Sequence, residues 1–184
     1  NACCPRMSIV GGRQEPAELV YGRRMSETLT RMIAEPTECL CIAARGQHIE
    51  RWLLPRDSYP PGRVGYLKWR KDQRAFQASR LGEIMESAGY EGGAVARVGF
   101  LIRKESMKTD AEVQTFEDVI CVMFFEHYLR DFANRLEEEM LASILVKTWN
   151  RMSELGHRHA LMLDLPPVVT RLLERELGAL SSAA

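Results

Sequence analysis

The hydrophobic positions of the chain recur mostly at spacings of three and four residues, the period of an α-helix. This pattern predicts helices over residues 26–33, 36–54, 66–88, 94–104, 110–134, 137–155 and 167–177. Pro55, Gly89, Gly156 and Gly178 stand where the pattern breaks, as residues that end helices do. No stretch alternates with period two for long. We therefore expect an all-α class, a compact single-domain fold of about 7-8 helices.

The helix predicted over 110–134 is expected to be the central one. Thr109 and Glu112 have the T-x-x-E spacing of a capping box at its start. From Val119 to Phe125 the segment is apolar almost all round, which is typical of a helix enclosed by others. Residues 1–24 lack a helical period and are expected to form an N-terminal arm. The helical domain then covers 25–180, and 181–184 form a tail.

Composition narrows the function classes. The chain has 184 residues, 46% of them hydrophobic, and a formal net charge of zero, so a bulk nucleic-acid binder or a polybasic membrane tail is not expected. No apolar run approaches the roughly 18 residues of a membrane span, and the first residues lack the apolar core of a signal peptide. Five cysteines without a secretory signal predict free thiols in the reducing cytoplasm.

Cationic and aromatic residues alternate around the first proline-rich loop. On the predicted helix over 36–54, His48 shares a face with two arginines and a tryptophan. Arginine suits carboxylate or phosphate groups, and aromatic rings stack on planar ligands. A pocket for an anionic small molecule and a solvated basic loop both fit this pattern. The candidate substrate-binding residues here are Arg45, Arg51, Trp52, Arg56, Tyr59, Arg63, Tyr66, Trp69 and Arg70.

An acidic pair stands at the entrance of the apolar central helix. Glu117 and Asp118 need a partner on entering a core, and Gln114 shares the face of Asp118. Two interpretations stay open: a salt bridge to one of the basic-loop arginines above, or a metal ligand in Asp118. Lys104 and Lys147 are further candidates for the same pocket. His157 and His159 are expected in a loop after Gly156.

The chain resembles the DUF4202 family, which is described as uncharacterised and sometimes labelled glutamyl-tRNA-synthetase-like. No HIGH-type or KMSKS-type nucleotide motif supports that label. The resemblance spans residues 16–167. It is carried, in this order, by PAELVYGRRMS, AARGQHIERWLLPR, YPPGRVGYLKWR, AGYEGG, LIRKESMKTDAEVQTFEDVICVMFFEHY and KTWNRMSELGH.

More remotely, the order of motifs is similar to that of the HD superfamily of metal-dependent phosphohydrolases. The resemblance implies an all-α fold with His48 as the first metal ligand and Asp118 as the last. A His-Asp pair should lie between them, near AFQASRL, where this chain has Phe76, Gln77 and Ala78. The implied cofactor is a divalent transition metal (Mn, Fe or Zn), or none if the site is degenerate.

Three functions stay open. The first is an HD-like hydrolase of a phosphorylated or otherwise anionic small molecule. In it His48 is a ligand or general base, Asp118 a ligand, and Glu117 an orienting group or proton acceptor. The second is a non-catalytic module that binds an anionic metabolite or nucleotide. The third is an RNA-associated factor, which the zero net charge makes unlikely. The all-round apolar central helix also leaves room for a homo-oligomer.

Overall fold

The computed structural model of the chain describes residues 1–178. It divides into two compact units, Asn1–Met107 and a second that begins at Lys108. Helices dominate both units, which confirms the all-α prediction apart from one small two-stranded sheet. The predicted tail at 181–184 lies outside the described residues.

The first unit opens with a β-hairpin that the hydrophobic pattern does not predict. Strand β1 (Met7–Val10) pairs antiparallel with strand β2 (Arg13–Pro16). The turn residues Gly11 and Gly12 have positive φ angles of 56° and 79°, as a two-residue hairpin turn requires. This hairpin and the helix after it replace the extended arm expected over 1–24.

Helix α1 (Ala17–Met32) begins well before the predicted start at Ser26. Its buried face carries Glu18 in addition to apolar residues. Gly22 interrupts the apolar pattern, but a Cβ there would lie 2.6 Å from the carbonyl oxygen of Arg45. The glycine therefore permits a close approach to the next helix rather than marking a loop.

Helix α2 (Glu38–Gly46) is shorter than the helix predicted over 36–54. Thr37 caps its start, since the threonine hydroxyl accepts a hydrogen bond from the N–H of Leu40 at 3.2 Å. At its end, a Cβ on Gly46 would lie 2.5 Å from the side chain of Leu81. The predicted continuation to residue 54 is wrong, because the chain turns away here.

The turn after α2 carries the residues of interest. Glu50 adopts a left-handed conformation with φ 47°, and two short 3₁₀ helices follow at Arg51–Leu53 and Arg56–Ser58. His48 and Arg51 therefore lie on a turn, so the prediction that they share one helix face is wrong. Their side chains are still in contact, but the turn brings them together and not the helical period.

Helices α3 (Gly62–Ser87) and α4 (Gly92–Arg103) pack against each other in the first unit. Helix α3 begins inside the loop predicted over 57–65. A Cβ on Gly65 would lie 1.9 Å from a preceding backbone carbonyl oxygen, so only glycine fits this first turn. The helix stops just before Gly89, close to the predicted end.

The second unit contains five helices between Lys108 and Gly178. Helix α5 packs on α8, and α7 packs on α9. Helix α5 is the buried centre, as predicted, with Val113, Phe116 and Val119 each 0% exposed. The helices are α5 (Ala111–His127), α6 (Leu129–Arg135), α7 (Glu138–Trp149), α8 (Glu154–Leu161) and α9 (Pro167–Leu177).

Local contacts correct the predicted ends of these helices. Asp110, not Thr109, caps α5: its Oδ1 accepts from the N–H of Glu112 at 3.1 Å and of Val113 at 3.0 Å. The single helix predicted over 110–134 breaks at Tyr128, where α5 ends and α6 begins.

The helix predicted over 137–155 ends at Trp149 instead, and Met140 on its expected core side is 56% exposed. Gly156 lies inside α8 and does not end a helix. His157 and His159 therefore belong to α8, which corrects the expected H-x-H loop. None of the helices in the part of the chain described here is long and apolar enough to cross a membrane.

Candidate functional site

His48 is held between two charged side chains in the first unit. Its Nδ1 lies 3.2 Å from Oε2 of Glu18, and Nη1 of Arg51 lies 2.8 Å from its Nε2. A guanidinium only donates, so Nε2 accepts and Nδ1 carries the proton. The ring of Tyr21 stacks on the imidazole, with centroids 3.6 Å apart. These contacts fix one orientation and one tautomer of neutral His48.

Glu18 supplies the carboxylate from the first turn of α1 and is 2% exposed. Its other oxygen, Oε1, pairs with the guanidinium of Arg6. Burial alone would raise the pKa of Glu18, but the hydrogen bond from His48 and the charges of Arg6 and Arg51 bring the pKa below its usual value. Glu18 is therefore a buried, ionised group that orients the histidine.

Arg51 approaches His48 from the 3₁₀ turn and lies over an aromatic ring. Its Cζ is 4.8 Å from the ring centroid of Trp69, a cation–π contact. We call these six residues the His48 cluster: Arg6, Glu18, Tyr21, His48, Arg51 and Trp69.

Positive charge exceeds negative charge around this cluster. Burial, together with the charges of Arg51 and Lys104, lowers the pKa of His48 to about 4 against the opposing effect of Glu18. Burial also lowers the pKa of Arg51; Glu18 and Tyr21 oppose this shift, and the cations Arg6 and Arg70 add to it. Repulsion among cations of this kind is relieved by a bound anion.

Most of the other predicted basic-loop residues make contacts within the loop or with the adjoining start of α3. Arg56 donates to the backbone carbonyls of Tyr59 and Pro60, both at 3.0 Å. The hydroxyl of Tyr59 donates to Asp72 at 3.1 Å. The guanidinium of Arg70 lies 5.9 Å from the ring centroid of Tyr66.

Three further predicted residues lie outside the His48 cluster. Arg45 and Arg63 are exposed, and Trp52 is half-buried on the 3₁₀ turn. Among the other residues of the predicted pocket, Trp69 contacts Arg51 directly. The charges of Arg70 and Lys104 act on the pKa values of Arg51 and His48, respectively.

Asp118, in the second unit, is 1% exposed and anchors the start of α8. Its Oδ1 accepts from the N–H of Ser153 at 2.8 Å and from the amide of Gln114 at 3.0 Å. Its Oδ2 accepts from the hydroxyl of Ser153 at 2.5 Å. A Cβ on Gly156 would lie 2.8 Å from Oδ1, which explains the glycine inside α8. Asp118 therefore fastens the turn between α7 and α8.

The remaining predicted residues of this unit have local partners. Glu117 is 2% exposed and its Oε1 lies 3.1 Å from Nη1 of Arg151. Glu117 therefore has a salt bridge, but to an arginine of its own unit and not to one of the predicted basic-loop arginines. Lys147 lines a groove of about 340 Å³ with Arg175 and Glu176. The ring of His157 stacks on Trp149, and its Nε2 donates to the Trp149 carbonyl at 3.0 Å.

The donor set does not fit the metal centre that the HD resemblance implies. Both ring nitrogens of His48 are engaged, one by a carboxylate and one by a guanidinium, whereas a metal ligand needs a free nitrogen lone pair. Gln77, at the expected position of the middle ligands, donates its amide to Gln73 at 3.1 Å. Within residues 1–178 no three His, Cys, Asp or Glu side chains are grouped to hold a metal ion.

Sequence reasoning missed Glu18, Tyr21 and Arg6. Glu18 lies in phase with the buried residues Gly22 and Met25 of α1, and a carboxylate in the apolar stripe of a helix is the signal that marks it. The signal is visible only when the helix is started at Ala17, which the predicted arm prevented.

The chain belongs to the DUF4202 family, a domain of unknown function, whose model matches residues 1–173. This confirms the family resemblance, and the relation to HD phosphohydrolases stays a prediction. Comparison with curated proteins and with solved structures finds no match. The function therefore has to be argued from the site.

Proposed function

We propose that this protein binds a small-molecule anion, a phosphorylated or carboxylated metabolite, at the His48 cluster. The observation that carries the proposal is that two guanidiniums, those of Arg6 and Arg51, meet a neutral histidine and the single carboxylate of Glu18. The non-catalytic module is thus favoured over the hydrolase.

Arg51 is the residue expected to hold the anion. Its guanidinium carries several N–H donors, of which Nη1 binds His48. Its position over Trp69 restrains the group in one orientation, which reduces the entropy lost on binding. Hydrogen bonds from a cation to a carboxylate or phosphate are stronger than neutral ones.

Calorimetric titration with inorganic phosphate, citrate and AMP tests the proposal. Loss of one charge-assisted hydrogen bond costs about 1.5–3 kcal/mol, so Arg51→Gln should weaken binding of the preferred probe about 10- to 100-fold. Arg63→Gln removes the same charge from an exposed position and should leave the affinity nearly unchanged. Equal losses in both variants would show that the basic loop acts only through its bulk charge.

The salt dependence of binding separates a metabolite from a nucleic acid. A single small anion gives a shallow dependence, whereas a polyanion that releases many counterions gives a steep one. Tight tRNA binding with a steep slope would favour the RNA-associated alternative and would replace the proposal.

A hydrolase is the second candidate, because Glu18 and His48 form a carboxylate–imidazole pair. Such a pair orients a histidine as a general base. With a pKa of about 4, however, His48 is a weak base at neutral pH and is not in the imidazolium form that could give a proton to a leaving group. This pKa favours binding over proton transfer.

Turnover assays decide between the two candidates. Phosphomonoesters should be screened with EDTA and with added Mn²⁺, together with elemental analysis of protein purified without a metal-affinity tag. A hydrolase requires turnover that His48→Gln abolishes while the fold survives. Stoichiometric metal with melting lowered by EDTA would restore the predicted metal centre.

The expected cellular compartment is argued from the cysteines. The five cysteines carry free thiols, which suits the reducing conditions of the cytoplasm. We therefore keep the cytoplasm as the expected location.

A further inference from the structure

Helix α3 presents a buried polar stripe beneath the turn that carries Arg51. Trp69, Gln73 and Gln77 follow one another at intervals of four residues, so they share one helix face. They are 9%, 3% and 3% exposed. Burying two amides in a row is costly unless their hydrogen bonds are satisfied, so their contacts indicate what they do.

The hydrogen bonds of this stripe lead toward the 3₁₀ turn. The amide of Gln73 donates to the carbonyl of Arg51 at 2.8 Å and of Leu54 at 2.7 Å. The indole N–H of Trp69 donates to the same Leu54 carbonyl at 2.9 Å. The amide of Gln77 donates to Oε1 of Gln73 at 3.1 Å. That last bond fixes which end of the Gln73 amide faces the turn.

The turn is held at Glu50, which accepts from Arg80 at 2.9 Å and donates its N–H to Asn1 at 3.0 Å. At Arg51 its internal hydrogen bonds are longer, since the Arg51 N–H reaches the His48 carbonyl only at 3.3 Å. Its 3₁₀ helix has three residues, and short 3₁₀ segments have poor hydrogen-bond geometry. The N–H of Leu54 reaches the Arg51 carbonyl only at 3.4 Å. Glu50, just before the helix, is in the left-handed region, which is costly for a residue with a side chain. The backbone of Arg51 therefore depends on contacts from outside the turn.

We infer that Gln73 and Gln77 are positioning residues that hold Arg51 in its anion-binding orientation. The Gln73 amide binds the Arg51 and Leu54 carbonyls at the two ends of the turn. Gln77 orients that amide through its own hydrogen bond to Gln73. Trp69 completes the arrangement because the indole pins Leu54 while its ring lies under the guanidinium of Arg51. The inference rests on the proposed anion site and assigns a role to the stretch in which the HD resemblance expects metal ligands.

Methionine variants test the two glutamines because methionine is similar in length and loses the amide. Phosphate, citrate and AMP binding is measured by calorimetry for Gln73→Met and Gln77→Met. The titration of the His48 ring is followed in the same proteins by NMR. Gln114→Met is the matched control: its amide also donates to a turn carbonyl, that of Arg151 at 2.9 Å, within the second unit.

Gln73→Met should weaken binding of the preferred anion about tenfold, as expected for loss of a buried hydrogen-bond donor. It should also move the His48 pKa upward, because the Arg51 charge that lowers it is no longer held at Nε2. Gln77→Met should give smaller changes of the same sign, and it serves as the second variant if Gln73→Met does not fold. Gln114→Met should lower stability without either change.

Unchanged anion affinity and unchanged His48 titration in both folded variants would overturn the inference. Equal changes in the Gln114→Met control would also overturn it, since a general loss of stability would then explain them. If the wild-type protein binds none of the three anions, the proposed function fails. The His48 titration still decides on its own whether the glutamines position Arg51.

Discussion

The lowered pKa of His48 makes the stability of the folded protein depend on pH in a defined window. Burial and the nearby cations, opposed by Glu18, bring this pKa from 6.5 to about 4. Between these values the unfolded chain binds a proton at His48 and the folded chain does not. Acidification therefore favours the unfolded state, and stability falls as the pH drops from 6.5 toward 4.

The size of the effect follows from the shift. One pKa unit corresponds to about 1.4 kcal/mol, so a shift of about 2.5 units corresponds to a loss of about 3 kcal/mol below pH 4. Moving from pH 7 to pH 5 should cost about 2 kcal/mol of the free energy of unfolding. The lowered pKa of Glu18 acts in the same direction, but mainly below its ordinary value of 4.5, so the range above pH 5 isolates His48.

Urea unfolding at pH 7 and pH 5, followed by circular dichroism, measures the effect. The wild-type protein should lose about 2 kcal/mol more than His48→Gln over this range. An equal loss in the wild type and His48→Gln, or a His48 ring that titrates near 6.5 by NMR, would refute the reasoning.

Three further predictions concern packing and capping, each measured as a free energy of unfolding in urea. Gly65→Ala should destabilise the first unit, whereas Gly93→Ala in α4 should not, because a Cβ at Gly65 would overlap a backbone oxygen and a Cβ at Gly93 meets open space. Asp110→Ala removes the cap of α5 and should cost about 1 kcal/mol, with helicity at its start reduced in NMR shifts. Asp118→Asn should cost about 1–3 kcal/mol, since its carboxylate accepts both bonds from Ser153.

Each of these predictions has an outcome that contradicts it. Similar stabilities of the two glycine variants would show that the first turn of α3 can relax. An unchanged Asp110→Ala protein would return the capping role to Thr109. An Asp118→Asn protein of full stability would mean that the carboxylate is not needed to fasten α8 and would reopen a functional role for it.

Some features of the fold could be predicted because they depend on neighbours along the chain. Helix α5 has an apolar surface nearly all round, and its burial follows whichever helices surround it. Gly178 has the left-handed conformation that ends α9, a local property of glycine. Glycines that permit close contacts could not be interpreted from the sequence. Gly156, predicted to end a helix, lies inside α8 against Asp118, and Gly22 lies inside α1 against the Arg45 carbonyl.

The sequence by itself determined the helical class and the family, and it singled out His48 and Arg51 as neighbours. Only the tertiary structure decided which groups these two residues meet. Glu18 reaches His48 from α1, and Gln73 reaches the Arg51 backbone from α3. Periodicity reports which residues of one helix share a face, but it contains no information on which faces of different helices adjoin. That pairing depends on packing the whole unit, and it brings the Gln77 amide, at the position where the HD resemblance expects a His-Asp pair, to Gln73.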